Sequence, residues 1–150
     1  MLKSSDPHLS SARTYLDTAL ATLRQANRSD YIPRALLPCA WLHALAGEWD
    51  AARQRLDEAF ALATRGGNPQ NGWQGGMRLH LADTLLHRAR LFGRLKDEGG
   101  RMKGASPPPA EYPWPGRTPA ADLAEAAALI TACGYHRRDQ ELADAREAFE

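Results

Sequence analysis

The chain has 150 residues, with 19 Lys or Arg against 18 Asp or Glu and a net charge of +1. A chain of this length suits one domain and buries about 68–70% of its unfolded surface without needing disulfides or a metal. The charge balance argues against a dedicated nucleic-acid binder, two cysteines make neither a disulfide framework nor a zinc quartet, and the absence of a long apolar run argues against a membrane span.

The inventory of 27 Ala and 20 Leu against two Ile and no Val disfavours an extended sheet and points to an all-α chain. The opening stretch MLKSSDPHLSSARTYLD is too polar for a secretory signal, so a reducing cytoplasm is expected. A first helix is predicted from Asp6-Pro7, a capping residue followed by a proline suited to a first turn. Leu9, Ala12, Leu16, Ala19, Leu20 and Leu23 then recur at helical spacing. Asn27 to Asp30 should close it and cap a second helix over about 32–46, with Pro38 expected to bend that helix. Gly47 to Asp50 is a tight link into a third helix, about 49–65, which Gly66-Gly67 stops. The glycine-rich loop 66–76 leads to a fourth helix over about 76–95. Residues 97–119 hold six prolines, so a Pro/Gly-rich insertion is expected at 97–118. A fifth helix follows at about 119–133, ended by Gly134, and a short sixth at 139–149.

Helix, short turn and helix thus alternate, and small residues recur where paired helices would touch. Residues 33–66 resemble a tetratricopeptide repeat: Leu36, Ala40, Gly47, Trp49, Ala52, Leu56 and Ala59 supply its large, small, turn and aromatic positions. Residues 82–134 read as a second, imperfect repeat, in which Ala89, Leu123 and Ala126 match but Pro119 and Lys96 depart from the pattern. The expected architecture is a single domain, 1–150, of antiparallel helix pairs stacked as a short tetratricopeptide-like solenoid.

Four strings carry a further resemblance: DYIPRALL (30–37), GMRLHLADTLLHRARL (76–91), EYPWPG (111–116) and AAALITACGYHRRDQELADA (126–145). Together they resemble the C-terminal repeat region of bacterial STAND-type, NACHT-like signalling NTPases, over about residues 10–149. The resemblance implies a sensor or scaffold arm. It does not carry NTPase activity to this chain, which has no Gly-rich loop ending in Gly-Lys-Ser/Thr to cradle a phosphate. The first helix resembles the second half of a repeat whose first half is missing.

First helices of stacked repeats usually line the concave, partner-facing surface. Helical spacing sets Arg34, Leu37, Trp41 and Leu45 on one such stripe, and His80, Asp83, Leu86, His87, Arg90 and Arg94 on the other. Arg34, Leu37, Trp41, Leu45, Asp83, His87, Arg90 and Arg94 are therefore the candidate groove for a protein or peptide, one bearing carboxylates where the arginines meet it. The bland alternative is that the arginines are solvated or pair with Asp83 and Glu48. A second reading is a small-molecule or metal-binding enzyme built on His80, Asp83 and His87, although about 10 Å of helix axis separates the two imidazoles. A third is self-association through the first helix, giving a homodimer. Cys39 and Cys133 read as core residues, and His136 to Asp139 as a cap on the fifth helix or an anion contact. Tyr112, Trp114 and Trp73 are expected to fold back onto the helices, with docking of the Pro-rich stretch on a partner as the alternative. No catalytic residue, cofactor, metal ligand set, nucleic acid or membrane contact is expected.

Overall fold

The computed structural model describes residues 7–93, 109, 111–134 and 139–149, the side chains of 7–9 and 148–149 excepted. Six α-helices carry the described chain: α1 (Pro7–Gln25), α2 (Ile32–Leu45), α3 (Trp49–Thr64), α4 (Arg78–Phe92), α5 (Pro119–Cys133) and α6 (Asp139–Phe149). A 3-10 turn at Pro69–Asn71 is the remaining element, and there is no strand among the described residues. No described helix is long and apolar enough to cross a membrane.

The helix ends show where local chemistry departs from the predicted bounds. Asn27 takes a left-handed φ of 56°, and the Arg28 amide donates back to the Leu23 carbonyl at 2.9 Å, closing α1. The expected cap for α2 does not form: Tyr31 is the N-cap and makes no side-chain bond, while Asp30 pairs with Arg28 at 3.3 Å. Helix α2 continues through Pro38, which has no amide to donate to the Arg34 carbonyl. Both residues are exposed, so water can serve that carbonyl. At the α2–α3 link Gly47 adopts φ 79° and the Glu48 amide reaches the His43 carbonyl at 2.8 Å, a turn that a residue with a Cβ fits poorly.

The loop before α4 is compact. A Cβ on Gly75 would lie 2.5 Å from the Gly66 carbonyl oxygen, and one on Gly76 would lie 2.7 Å from that of Ala63. Asn68 and Asn71 cap each other's backbone across the 3-10 turn. The Met77 amide is tied to the Ala63 carbonyl at 2.8 Å, so α4 starts only at Arg78 rather than near residue 76. The predicted last residues of that helix, Arg94 and Leu95, lie outside the described residues. Helix α5 is capped by Thr118, whose hydroxyl accepts from the Ala121 amide at 3.0 Å with Pro119 following, and it ends on left-handed Gly134.

Packing is pairwise. Helix α2 packs most extensively on α3 and α4 on α5, with α1 against α2, α3 against α4 and α6 against α5. Helices α2 and α4 also touch each other, as do α4 and α6. The α2–α4 contact is parallel: the Asp30-Tyr31 end of α2 lies beside Met77 to His80, and Trp41 meets His87. Leu36, Ala40, Ala52, Leu56 and Ala59 all have 0% exposure, so alanine is the residue that lets these backbones approach. They belong to a core with Leu20, Ile32 and Phe92. A second core joins Leu81, Leu85, Leu86 and Ala89 of α4 to Leu123, Ala126 and Ile130 of α5 and Leu142 and Ala145 of α6. Cys39 is buried as expected, whereas Cys133 is only half-buried.

Candidate functional site

The two predicted stripes meet where α2 lies against α4. The Trp41 indole Nε1 donates to His87 Nδ1 at 3.1 Å, and the two rings meet edge-on with centroids 5.9 Å apart. The Arg90 guanidinium lies over the Trp41 ring, 5.7 Å from its centroid, and pairs with Glu141 of α6 at 3.6 Å. Trp41, His87 and Arg90 are each half-buried, held by protein on one side and open on the other. Because His87 Nδ1 accepts the indole proton, a neutral ring carries its own proton on Nε2.

The other stripe residues are placed differently. Arg34 is exposed and makes no ion pair among the described residues, and Leu45 is half-buried. Leu37 is largely buried yet contributes to the wall of a groove, so it serves core and surface together. Asp83 and Leu86 are buried, because α4 is flanked by other helices on several sides, so they are not offered to a partner as the stripe pattern suggests. Arg94 lies outside the described residues, as do His136, Arg137 and Arg138. His80, Asp83 and His87 do not come together: among the described residues no three His, Cys, Asp or Glu side chains could hold one metal ion.

Beside Trp41 runs a groove of about 400 Å³ between α1 and α2, walled by Ala12, Leu16, Leu37, Pro38 and Trp41, with His87 at its edge. It is predominantly apolar. A second groove, of about 430 Å³, lies at the N-terminal ends of α2 and α4, where Tyr31 and Leu79 are both well exposed. The turn below α1 is held by Glu48, which accepts from Arg13 and from His43 Nδ1 at 2.8 Å each. Partial burial pushes the Glu48 carboxyl up, but the bonds from His43 and Arg13 outweigh it and hold it below the usual range.

The most highly connected polar cluster was not among the predicted sites. Asp122, in the first turn of α5, has 0% exposure. Arg88 of α4 grips it bidentately, at 2.7 and 2.8 Å. Arg117 adds bonds of 2.6 and 2.9 Å, and the Tyr112 hydroxyl donates to the second carboxylate oxygen. Arg117 also reaches Glu125 at 2.8 Å, and Glu125 in turn accepts from the Trp73 indole at 2.7 Å. The Arg88 guanidinium is sandwiched between aromatics, 4.5 Å from the Trp114 centroid and 5.2 Å from that of Phe60. Trp114 meets Phe92 and Tyr112 edge-on, each at 5.0 Å, and donates to Asp57 of α3 at 2.7 Å. Tyr112 and Trp114 thus fold back onto the helices and strap α3, α4 and α5 together. Residues 94–108 and 110 of the insertion region lie outside the described residues.

Burial pushes the Asp122 carboxyl up, but bonds from Arg88 and Tyr112, the Arg88 charge and the Arg117 bond hold it below its usual range. The same burial, with the bond to Asp122, raises the Tyr112 phenol. Arg88 is kept fully charged, its desolvation outweighed by Asp122. Five bonds from three side chains converge on this carboxylate, so the cluster is a lock between elements. Burial likewise raises the Cys39 thiol, with the Asp17 charge adding to it, which makes it a poor nucleophile.

The lock had a signal in the sequence. Leu81, Leu85, Arg88 and Phe92 share one apolar stripe of α4, and Asp122 lies beside Leu123 and Ala126 on α5. Opposite charges interrupting two facing apolar stripes mark a buried pair. Comparison of the chain with family models, with curated proteins and with solved structures gives no match.

Proposed function

We propose that the chain is a tetratricopeptide-like helical-repeat module, a short solenoid of residues 1–150, that binds a protein or peptide and has no catalytic activity of its own. The likeness to the repeat arm of STAND-type signalling NTPases makes a sensor or scaffold role in the cytoplasm the matching context. The observation that carries the reading is the cluster of Trp41, His87 and Arg90 on adjacent parallel helices beside an open apolar groove. An amphipathic aromatic beside a cation and an apolar cleft is the composition of a binding hot spot. Arg34 adds an exposed positive charge on the same stripe, suited to a carboxylate.

The test is selection from a displayed library of random peptides. Enriched peptides should carry carboxylates and lose at least about ten-fold in affinity on Trp41→Ala, as truncated anchors do. A library that yields no enriched peptide, or winners that bind the Trp41→Ala protein equally well, overturns the reading.

A further inference from the structure

We propose that the His87 imidazole is a proton-operated latch on Trp41: the neutral ring ties α4 to α2, and the imidazolium formed in mild acid lets the indole go. The latch is a property of the chain alone and does not need the partner-binding reading. The tie is the bond from the Trp41 Nε1–H to His87 Nδ1, at 3.1 Å, across two helices. An indole can only donate, and an imidazolium carries a proton on both nitrogens. Once His87 is charged, neither orientation of its ring leaves an acceptor for the Trp41 N–H. Histidine is the side chain whose ordinary pKa, about 6.5, puts such a change between about pH 5 and 8.

The molecule carries its own contrasts. Trp73 donates to Glu125 and Trp114 to Asp57, each at 2.7 Å. Those acceptors are carboxylates, which as a class hold their charge down to about pH 4. Their bonds persist where the Trp41 bond breaks. His43 is the reverse case: its Nδ1 meets Glu48 at 2.8 Å, and a charged His43 donates to that carboxylate. Mild acid therefore favours the contact at the α2–α3 turn and loosens the one between α2 and α4.

The charges around His87 act in both directions. On α4, Asp83 stands one turn before it and Arg90 one turn after. Arg90 also lies 5.7 Å from the Trp41 centroid and pairs with Glu141 of α6 at 3.6 Å. The two carboxylates favour the imidazolium and the guanidinium opposes it. A guanidinium has no lone pair with which to take over the indole proton. Helix α1 brings only Ala12 and Leu16, among the described residues, to the groove that His87 borders. Helices α3 and α5 meet α4 on the Arg88 side, where Asp57, Asp122 and Glu125 are already bound. Arg34 of α2 and His80 of α4 are each two turns from the pair, about 10 Å along the axis. Trp41 is half-buried and forms one wall of the apolar groove, so its release alters that wall in acid.

The experiment is an NMR titration of the full chain from about pH 8 to about pH 5, read at the indole N–H and imidazole resonances. Trp41→Phe identifies the Trp41 signal; if that variant does not fold, through-space contacts to the His87 ring identify it instead. His87→Asn identifies the His87 ring and places an amide oxygen near the Nδ1 position, an acceptor at every pH. The Trp41 signal should shift in one step with the midpoint of the His87 ring, while those of Trp73 and Trp114 stay in place. In His87→Asn the Trp41 signal should hold its high-pH position throughout, and in His43→Asn the step should remain. Circular dichroism should show the same helicity across the range. A Trp41 signal that stays still, that moves with another midpoint, or that still moves in His87→Asn overturns the latch. So does a His87 ring that does not titrate in this range, or a step lost in His43→Asn. A loss of helicity at the same midpoint overturns it too, because the event would then be unfolding and not release of one side chain.

Discussion

The two regions where arginine meets tryptophan are built from the same residue types and do opposite things. At Arg88 the guanidinium is buried, stacked between Phe60 and Trp114, and matched to a carboxylate that also binds Arg117 and Tyr112. At Arg90, two residues along the same helix, the guanidinium leans on Trp41, pairs loosely with Glu141 and stays partly in solvent. Two residues on a helix is about 200° of rotation, so one arginine points into the α4–α5 seam and the other toward α2. The difference lies in burial. A saturated, desolvated cluster fixes the fold, while a half-buried one beside an apolar groove keeps part of its surface in solvent.

The comparison breaks first at Asp122. Asp122→Ala leaves Arg88 buried without its partner, and unfolding by urea should show a loss of about 3–5 kcal/mol. Replacing Arg88 and Asp122 together by leucine should cost less than Asp122→Ala alone, because no buried charge is then stranded. A double variant as damaged as the single one would mean that the pair's net attraction, and not the stranded charge, is what holds α4 to α5.

The same carboxylate sets the acid limit of stability. Its pKa is held below the unfolded value, so its contribution is fully present above the unfolded pKa of about 4 and is lost as pH falls through the folded value. Glu48, also depressed, adds in the same direction. Wild-type stability should therefore drop as pH falls below about 4, and Asp122→Asn should show a shallower drop from a lower starting point. Parallel slopes for the two proteins in acid would place the pH dependence elsewhere. Tyr112→Phe is the milder probe of the lock. It removes one hydrogen bond to a charged acceptor and should cost about 1.5–3 kcal/mol, with the helical content unchanged.

The fold was legible where a periodic pattern carried it and illegible where one chain segment answers another. All six helices follow from apolar spacing, with Gly and Pro marking several of their ends, because those signals act within a few residues; the Thr118 cap of α5 comes only from the structure. The α2 cap departs from the expected one because Asp30 is taken by Arg28 and the Asn27 turn pulls the chain past it. Trp41 and His87 were placed on facing stripes by spacing alone, although their hydrogen bond spans 46 residues and no local rule announces it. Asp83 falls on the groove face by spacing but is buried, because helical spacing gives a face and not the number of neighbours covering it; α4, in the middle of the packing, has too many. Arg88 and Asp122 escape sequence reading for the converse reason, since a charge on an apolar stripe looks like surface until its partner, 34 residues away, is placed beside it.

The smallest expected effect on stability is the sharpest on function. Arg34 is exposed on α2 and makes no ion pair among the described residues, so Arg34→Glu should change unfolding free energy by no more than about 0.5 kcal/mol, the usual range for a surface substitution. The same change reverses the charge at the end of the stripe that Trp41 completes and should weaken an acidic ligand several-fold, an effect that shrinks as salt rises. Substitutions in the lock should do the reverse, lowering stability while leaving the affinity of the folded fraction nearly unchanged. If Arg34→Glu instead destabilised the chain as Tyr112→Phe does, then α2 would depend on that guanidinium for its fold, and the division between a closed and an open arginine cluster along α4 would no longer separate structure from binding.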